Sequence, residues 1–321
     1  MNMQNLMLTF FMFFSCTTLE AETVKIRLGV LSSGTLSWEL AAMQHENLPD
    51  SSGLVLESIP LTDQQAGKVA LQAGSVDIII SDWVWVSSMR LQGRDYSFYP
   101  YSSSAGGLMV PANSPIKTLS DLQGKKLGIA GGELDKNWAI LQALALQQKI
   151  NLNQALEKVY AAPPLLNQQL LNQRIDALLT YWQFAARLEA QGYRQLLSGE
   201  EMIQALGVTQ TIPSLGYVFK QSWADQNKAA LQLFLKKAQA AKNTLCDSQQ
   251  AWQKIIKLTE TQDVVTQQQL RTRYCQGRIA QWGVAEQKAV DTLYQKLQQI
   301  EDSKLTSSKA PLPVEMFWSI D

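Results

Sequence analysis

Asp82 stands between Ser81 and the pair Trp83 and Trp85, directly after the apolar run Val76 to Ser81. A carboxylate beside aromatic faces can hold a cation or an amine, and such faces can also stack on a flat heterocycle. The competing reading of Asp82 is an ordinary helix N-cap. One of Trp83 and Trp85 is expected to pack beneath a helix, which leaves the other to face out. Tyr181 and Trp182 follow a second apolar run, Ile175 to Thr180, in the same manner. Catalytic chemistry finds little support: His45 is the single histidine, no cysteine has a neighbouring histidine, and neither a Walker-type glycine loop nor a nucleophile elbow occurs. No catalytic residue, metal ligand or cofactor is therefore expected, and no internal repeat is visible.

The chain has 321 residues, of which 46% are hydrophobic and 17% charged, with 28 basic and 28 acidic side chains. Zero formal charge removes the footprint that a nucleic-acid or anionic-membrane binder uses to release counterions. Residues Met1 to Phe14 read MNMQNLMLTFFMFF, whose apolar part is too short to span a bilayer and long enough for a secretory leader. Residues 1–21 are thus expected to be a signal peptide, with the remainder in the periplasm; lipidation at Cys16 is the alternative. Cys246 and Cys275 remain after such a leader, and a disulfide between them would restrict the unfolded chain by roughly 3.5 kcal/mol. Two unpaired buried thiols are the other possibility.

Strand and helix patterns alternate along most of the chain. Val24 to Leu31, Leu54 to Ile59 and Val76 to Ser81 read as strands, with a helix over Asp63 to Ala73 that Gly74 closes. Strands too apolar to face water on either side imply a parallel sheet covered on both faces. Tyr99 to Asp121 is rich in Ser, Gly and Pro and suits a crossing between domains near Met109 to Asn113. A second alternating unit follows, a second crossing lies near Thr211 to Ser214, and Trp223 to Ile300 is almost wholly helical. The predicted organisation is a first lobe over 22–110, a second over 111–212, and a return to the first over 213–321. Phe317 and Trp318 should dock back onto the body.

Two segments carry a family resemblance. ALQAGSVDIIISD (Ala70 to Asp82) and SPIKTLSDLQGKKLGIAGG (Ser114 to Gly132) resemble motifs of the periplasmic solute-binding proteins of ABC importers, in the nitrate, taurine, alkanesulfonate and thiamine-precursor (NMT1/THI5-like) group. The resemblance implies an α/β, type II periplasmic-binding-protein fold, in which two Rossmann-like lobes close on a small solute about a hinge. It places the ligand at the loops after the first strands of each lobe and at the crossings. On this chain those loops offer Ser33, Gly34, Thr35, Trp38, Asp82, Trp83, Trp85, Ser103, Gly132, Glu133, Tyr181 and Trp182 as ligand-binding candidates. Gly34 lets the backbone approach a ligand closely, and Thr35 or Ser37 could equally serve only as a cap. Glu133 and Asp135 are acids in a helix first turn, and Lys136 is the one base in the five loops. Lacking an arginine fork, the site should disfavour simple oxyanions and favour a flat heterocycle, an amine or a zwitterion.

The function expected from these features is that of a non-enzymatic, monomeric receptor that delivers a small-molecule solute to an inner-membrane ABC permease. A periplasmic sensing or docking module for a membrane or redox partner is the alternative. Cytosolic enzymes share the same fold, and the leader and single histidine argue against that class.

Overall fold

A computed structural model describes residues 23–31, 34–45, 53–300 and 309–320. The predicted leader, Cys16 and Ser33 lie outside the described residues. In chain order, β1 (Val24–Leu31), α1 (Leu36–His45), β2 (Leu54–Leu61), α2 (Gln64–Ala73), β3 (Ile79–Ser81), α3 (Trp83–Leu91) and β4 (Tyr96–Ser102) come first. Next are β5 (Gly107–Val110), β6 (Lys126–Ala130), α4 (Lys136–Gln147), α5 (Leu152–Ala155), β7 (Glu157–Ala161), α6 (Pro163–Leu171), β8 (Ala177–Thr180), α7 (Trp182–Ala190), β9 (Arg194–Ser198) and α8 (Gly199–Ala205). The chain then gives β10 (Leu215–Lys220), α9 (Gln221–Gln226), α10 (Lys228–Asp247), α11 (Gln249–Lys254), α12 (Val264–Gln276) and α13 (Val284–Leu297).

These strands build one sheet per lobe. Lobe 2 has the order β7-β6-β8-β5-β9. Lobe 1 pairs β1 with β2 and orders β3-β10-β4, and a parallel bridge from Leu28 to Ile78 joins the two parts into β2-β1-β3-β10-β4. The same order thus recurs, and in each lobe the antiparallel strand next to the edge arrives through a crossing. The chain belongs to the α/β class, with the two lobes and intervening cleft of the type II periplasmic-binding-protein fold.

Local sequence explains the elements that carry the site. Asp63 accepts from the Ala66 N–H to start α2, and Gly74, at φ +72°, ends it in the left-handed conformation that glycine adopts without strain. Ile26, Leu28, Ile78 and Ile79 are buried on both faces of the central strands, as their continuous apolar runs require. An aspartate stands just ahead of the third strand in each lobe. Asp77 accepts from the Arg27 backbone N–H at 2.7 Å, and Asp176 accepts from that of Lys126 at 2.8 Å. Each carboxylate satisfies a donor at the beginning of the sheet that the ladder leaves unpaired.

Two predicted boundaries are corrected. The first crossing runs over 103–106, because Gly107–Val110 pairs with β8 and β9 and belongs to lobe 2, not lobe 1. The strand Tyr96–Ser102, hidden in an aromatic and serine-rich stretch, forms the edge of lobe 1 in its place. The C-terminal helices also serve both lobes: α10 packs on α1, whereas α12 packs on α7 and α13 on α4. Phe317 and Trp318 do dock back, with the Trp318 N–H bonded to Phe98 O at 3.0 Å.

Beneath the hinge lies a buried ion pair. Glu39, with no exposed surface, faces Lys242 Nζ at 3.3 Å and accepts from Tyr217 Oη at 3.1 Å and Tyr274 Oη at 3.0 Å. Lys242 also donates to the carbonyl of Tyr101, one residue before the end of β4. Cys246 and Cys275 form a disulfide that ties the end of α10 to the end of α12. Glu39→Ala strands the Lys242 ammonium in the interior and should cost about 3–5 kcal/mol in urea unfolding. Replacing both cysteines by serine should lower stability by roughly 3 kcal/mol in the same measurement, because the unfolded chain regains the loop entropy.

Candidate functional site

Parallel strands of both sheets end at the same seam. Ser81 closes β3 opposite Gly216 of β10, and Thr180 closes β8 opposite Gly107 of β5. The segments Asp77 to Trp83 and Asp176 to Trp182 are therefore structural counterparts: a strand-opening aspartate, a terminal hydroxyl, a helix N-cap and a helix-opening tryptophan. Asp82 is the N-cap in lobe 1, accepting from the Trp85 N–H at 2.9 Å, and Tyr181 holds the same place in lobe 2. Ser81 Oγ and Thr180 Oγ1 are both buried without a hydrogen-bond partner among the described residues, and Asn137 Oδ1 shares that state.

Charged groups from both lobes meet beside these hydroxyls. Asp135 caps α4 through the N–H groups of Asn137 and Trp138, at 2.9 and 3.1 Å. Burial pushes its carboxyl up to about 6, with the negative charge of Asp82 adding to the rise. Lys136 is 8% exposed and donates from Nζ to Ser214 Oγ, on the second crossing, at 2.8 Å. Burial lowers its pKa, while Asp82 and Asp135 oppose that fall. Lys68 approaches Asp82 at 3.8 Å from the lobe 1 side. Tyr181 is held above its ordinary range by burial first, then by Asp135 and Asp82. Its hydroxyl reaches Gly131, where a Cβ would come within 2.5 Å of Oη and 2.7 Å of Asp135 Oδ2. Only glycine fits there, and its φ of +84° agrees.

An open pocket lies along the first crossing. Ser103, Gly106, Trp182, Gln195, Ser198 and Arg273 are among the residues lining it. Arg273 is already held by Glu189 and by Gln195 Oε1, the latter at 2.8 Å, so the Nε and Nη2 edge of its guanidinium is taken.

The predicted residues separate into three groups. Asp82 and Tyr181 come together at the charged seam, with Gly132 and the exposed Glu133 in the same loop as Gly131. Ser103 and Trp182 line the pocket, and Trp182 makes an edge contact with Trp38 at 6.3 Å. Gly34 and Thr35 precede α1, and the Thr35 hydroxyl is bonded to Tyr101 Oη at 2.7 Å. Three tryptophans are placed otherwise than a solute contact would need. Trp83 has no exposed surface and gives its indole N–H to Pro213 O at 3.1 Å, because Asp82 turns the chain into a helix whose first residue points into the core. Trp38 is buried against Trp252 and Tyr274, with its N–H on Leu258 O. Trp85 is half-buried and packs against Tyr96, with Lys68 over its ring.

Lys136, Asp135 and Ser214 lie in the same charged cluster and are absent from the predicted set. A signal for Lys136 does exist in the sequence. A cation in the first turn of an otherwise apolar helix opposes the macrodipole, so it needs an anionic or acceptor partner from elsewhere. Ser214 carries no such mark, since only the fold brings the second crossing to α4.

Asp135 gives the site a pH signature. The native state holds a proton that the unfolded chain releases near 3.8, so stability should fall as pH rises from about 4 to about 6 and then level off. Asp135→Asn keeps a capping oxygen and removes that slope; urea midpoints of the two proteins across this range should converge at low pH and diverge by pH 6.

Comparisons with known proteins bear on the family and the fold. The family model described as NMT1/THI5 like matches residues 51–251. No curated relative matches the sequence. Among solved structures, the chain resembles the alkanesulfonate-binding protein SsuA from Xanthomonas axonopodis pv. citri, bound to MOPS, at 17% identity and TM-score 0.70, covering 93% of this chain and 99% of that one. The periplasmic aliphatic sulphonate binding protein SsuA from Escherichia coli matches at 18% identity and TM-score 0.72, with 92% of each chain covered. The desulfurization enzyme DSZB shares the fold at 13% identity and TM-score 0.60, covering 91% of this chain and 95% of that one. With more than half of its length matched by the family model and its two-lobed fold shared with solute-binding proteins, this chain belongs to the NMT1/THI5-like family.

Proposed function

We propose that the protein is an exported receptor that captures a small organic solute between its lobes and delivers it to an ABC-type membrane permease. The observation that carries this reading is the seam itself, where Asp82 of lobe 1 and Asp135 and Lys136 of lobe 2 lie close enough to perturb one another. Charged groups of both lobes thus influence one another across the seam. A solute that contacts both sides therefore favours the closed form by its differential affinity for it.

The chemistry of the seam favours an amine, a zwitterion or a flat heterocycle over a simple oxyanion. A simple anion placed beside Lys136 would meet two carboxylates with no cation of its own to offset them, and the nearby guanidinium of Arg273 is engaged by Glu189. Trp182 offers a partly exposed ring at the pocket wall for the apolar or planar part of the solute. The sulfonate-binding names of the similar structures support the receptor class, and the carboxylates argue for a different ligand charge. Residues 1–21 serve as the export leader in this reading, in keeping with the periplasmic names of those structures.

Native mass spectrometry of protein purified from its own periplasm, followed by thermal shifts with heterocycles, amines, zwitterions and sulfonates, tests the proposal. A bound solute, or a melting temperature that rises with ligand concentration, is the expected result. Trp182→Ala should weaken that binding by at least about tenfold if the ring packs on the solute. Unchanged affinity in a folded variant would remove Trp182 from the site.

A further inference from the structure

Four charged side chains converge at the seam: Lys68 and Asp82 from lobe 1, Asp135 and Lys136 from lobe 2. Two ammonium groups balance two carboxylates. Lys136 is over nine-tenths buried, and its hydrogen bond to Ser214 crosses from lobe 2 to the returning chain. In such a desolvated place, a solute with net charge would bring in an ion that the resident set cannot neutralise, and an unpaired buried charge is costly. A solute carrying both signs can instead exchange partners with the resident ions and leave the balance intact. Three polar side chains at least nine-tenths buried and without partners among the described residues flank the charges: Ser81 beside Asp82, Thr180 beside Tyr181, and Asn137 beside Lys136. They provide two hydroxyls and one amide oxygen for a polar guest.

Resting on the receptor reading above, we propose that Asp82 and Lys136 are the specificity pair of this cleft, selecting a solute of zero net charge that presents a cationic group to Asp82 and an acidic group to Lys136. Asp135 supports the cationic end from the same side as Lys136. Removing either member of the pair then does more than weaken binding: it changes the charge of the preferred ligand. Loss of the Lys136 ammonium leaves a surplus carboxylate that favours a simple cation, and loss of the Asp82 charge leaves a surplus ammonium that favours a simple anion.

Wild type, Lys136→Met and Asp82→Asn are compared by calorimetry with 3-aminopropane-1-sulfonate, propane-1-sulfonate and propylamine, which share one carbon skeleton. Asn at position 82 retains a capping oxygen for α3, and Lys136→Gln replaces the Met variant if that protein fails to fold. Wild type should bind the zwitterion at least about tenfold more tightly than either simple ion. The preference should move by about tenfold or more to propylamine in Lys136→Met and to propane-1-sulfonate in Asp82→Asn. A wild type that prefers a simple ion, or an order unchanged in both variants, overturns the specificity pair. If none of the three probes binds, the solute co-purified from the periplasm decides. One with net charge overturns the pair and leaves the receptor standing, whereas one of zero net charge whose affinity falls at least about tenfold in both variants supports it. Absence of any solute overturns both proposals.

Discussion

A fully buried carboxylate holds the two halves of the hinge in register. Glu39 sits on α1, its hydrogen-bond donors come from β10 and α12, and its counter-ion comes from α10. Lys242 reaches on to the end of β4. Both chain crossings therefore leave lobe 1 from strands anchored to one ion pair. Because an isolated charge is so unfavourable in the interior, this network tolerates few alternative arrangements.

On the other side of the crossings, the electrostatics differ in kind. The Glu39 network is closed on itself: an acid, a base and tyrosine hydroxyls satisfy one another. The seam between the lobes is assembled from two bodies, and its helix caps Asp82 and Asp135 spend one oxygen on backbone N–H groups. Each keeps a second oxygen for other partners. Capping and ligand binding thus do not compete for the same lone pairs, and a residue that looks purely structural in one lobe can still present charge to the other.

Much of the fold was legible because apolar runs and their punctuation are local signals. The Asp77 segment and the Gly74 cap both stood out by residue type and spacing. The edge strands β4 and β9 did not, since the polar and aromatic mixture of the one and the short, polar-flanked Leu196-Leu197 pair of the other carry no clear period. Site residues followed the same division. Loops after strands were identifiable, yet the direction of each tryptophan depended on whether the chain continued as strand or turned into a helix at Asp82. The correspondence between Asp77 to Trp83 and Asp176 to Trp182 escaped a search for repeats because only the aspartate and the tryptophan are identical. Strand register makes it plain.

The exchange of strands between lobes has a consequence for how the protein is made. Lobe 1 cannot complete its sheet until Leu215–Lys220 has been synthesised, because β10 lies between β3 and β4. The whole sheet of lobe 2 is threaded into that interval, and it needs only strands between Gly107 and Ser198. The chain order therefore favours maturation of the middle of the polypeptide before its beginning, and the long sequence separation of the β3–β10 pairing slows the final closure of lobe 1. A nascent chain of this kind stays incompletely folded until it is nearly full length.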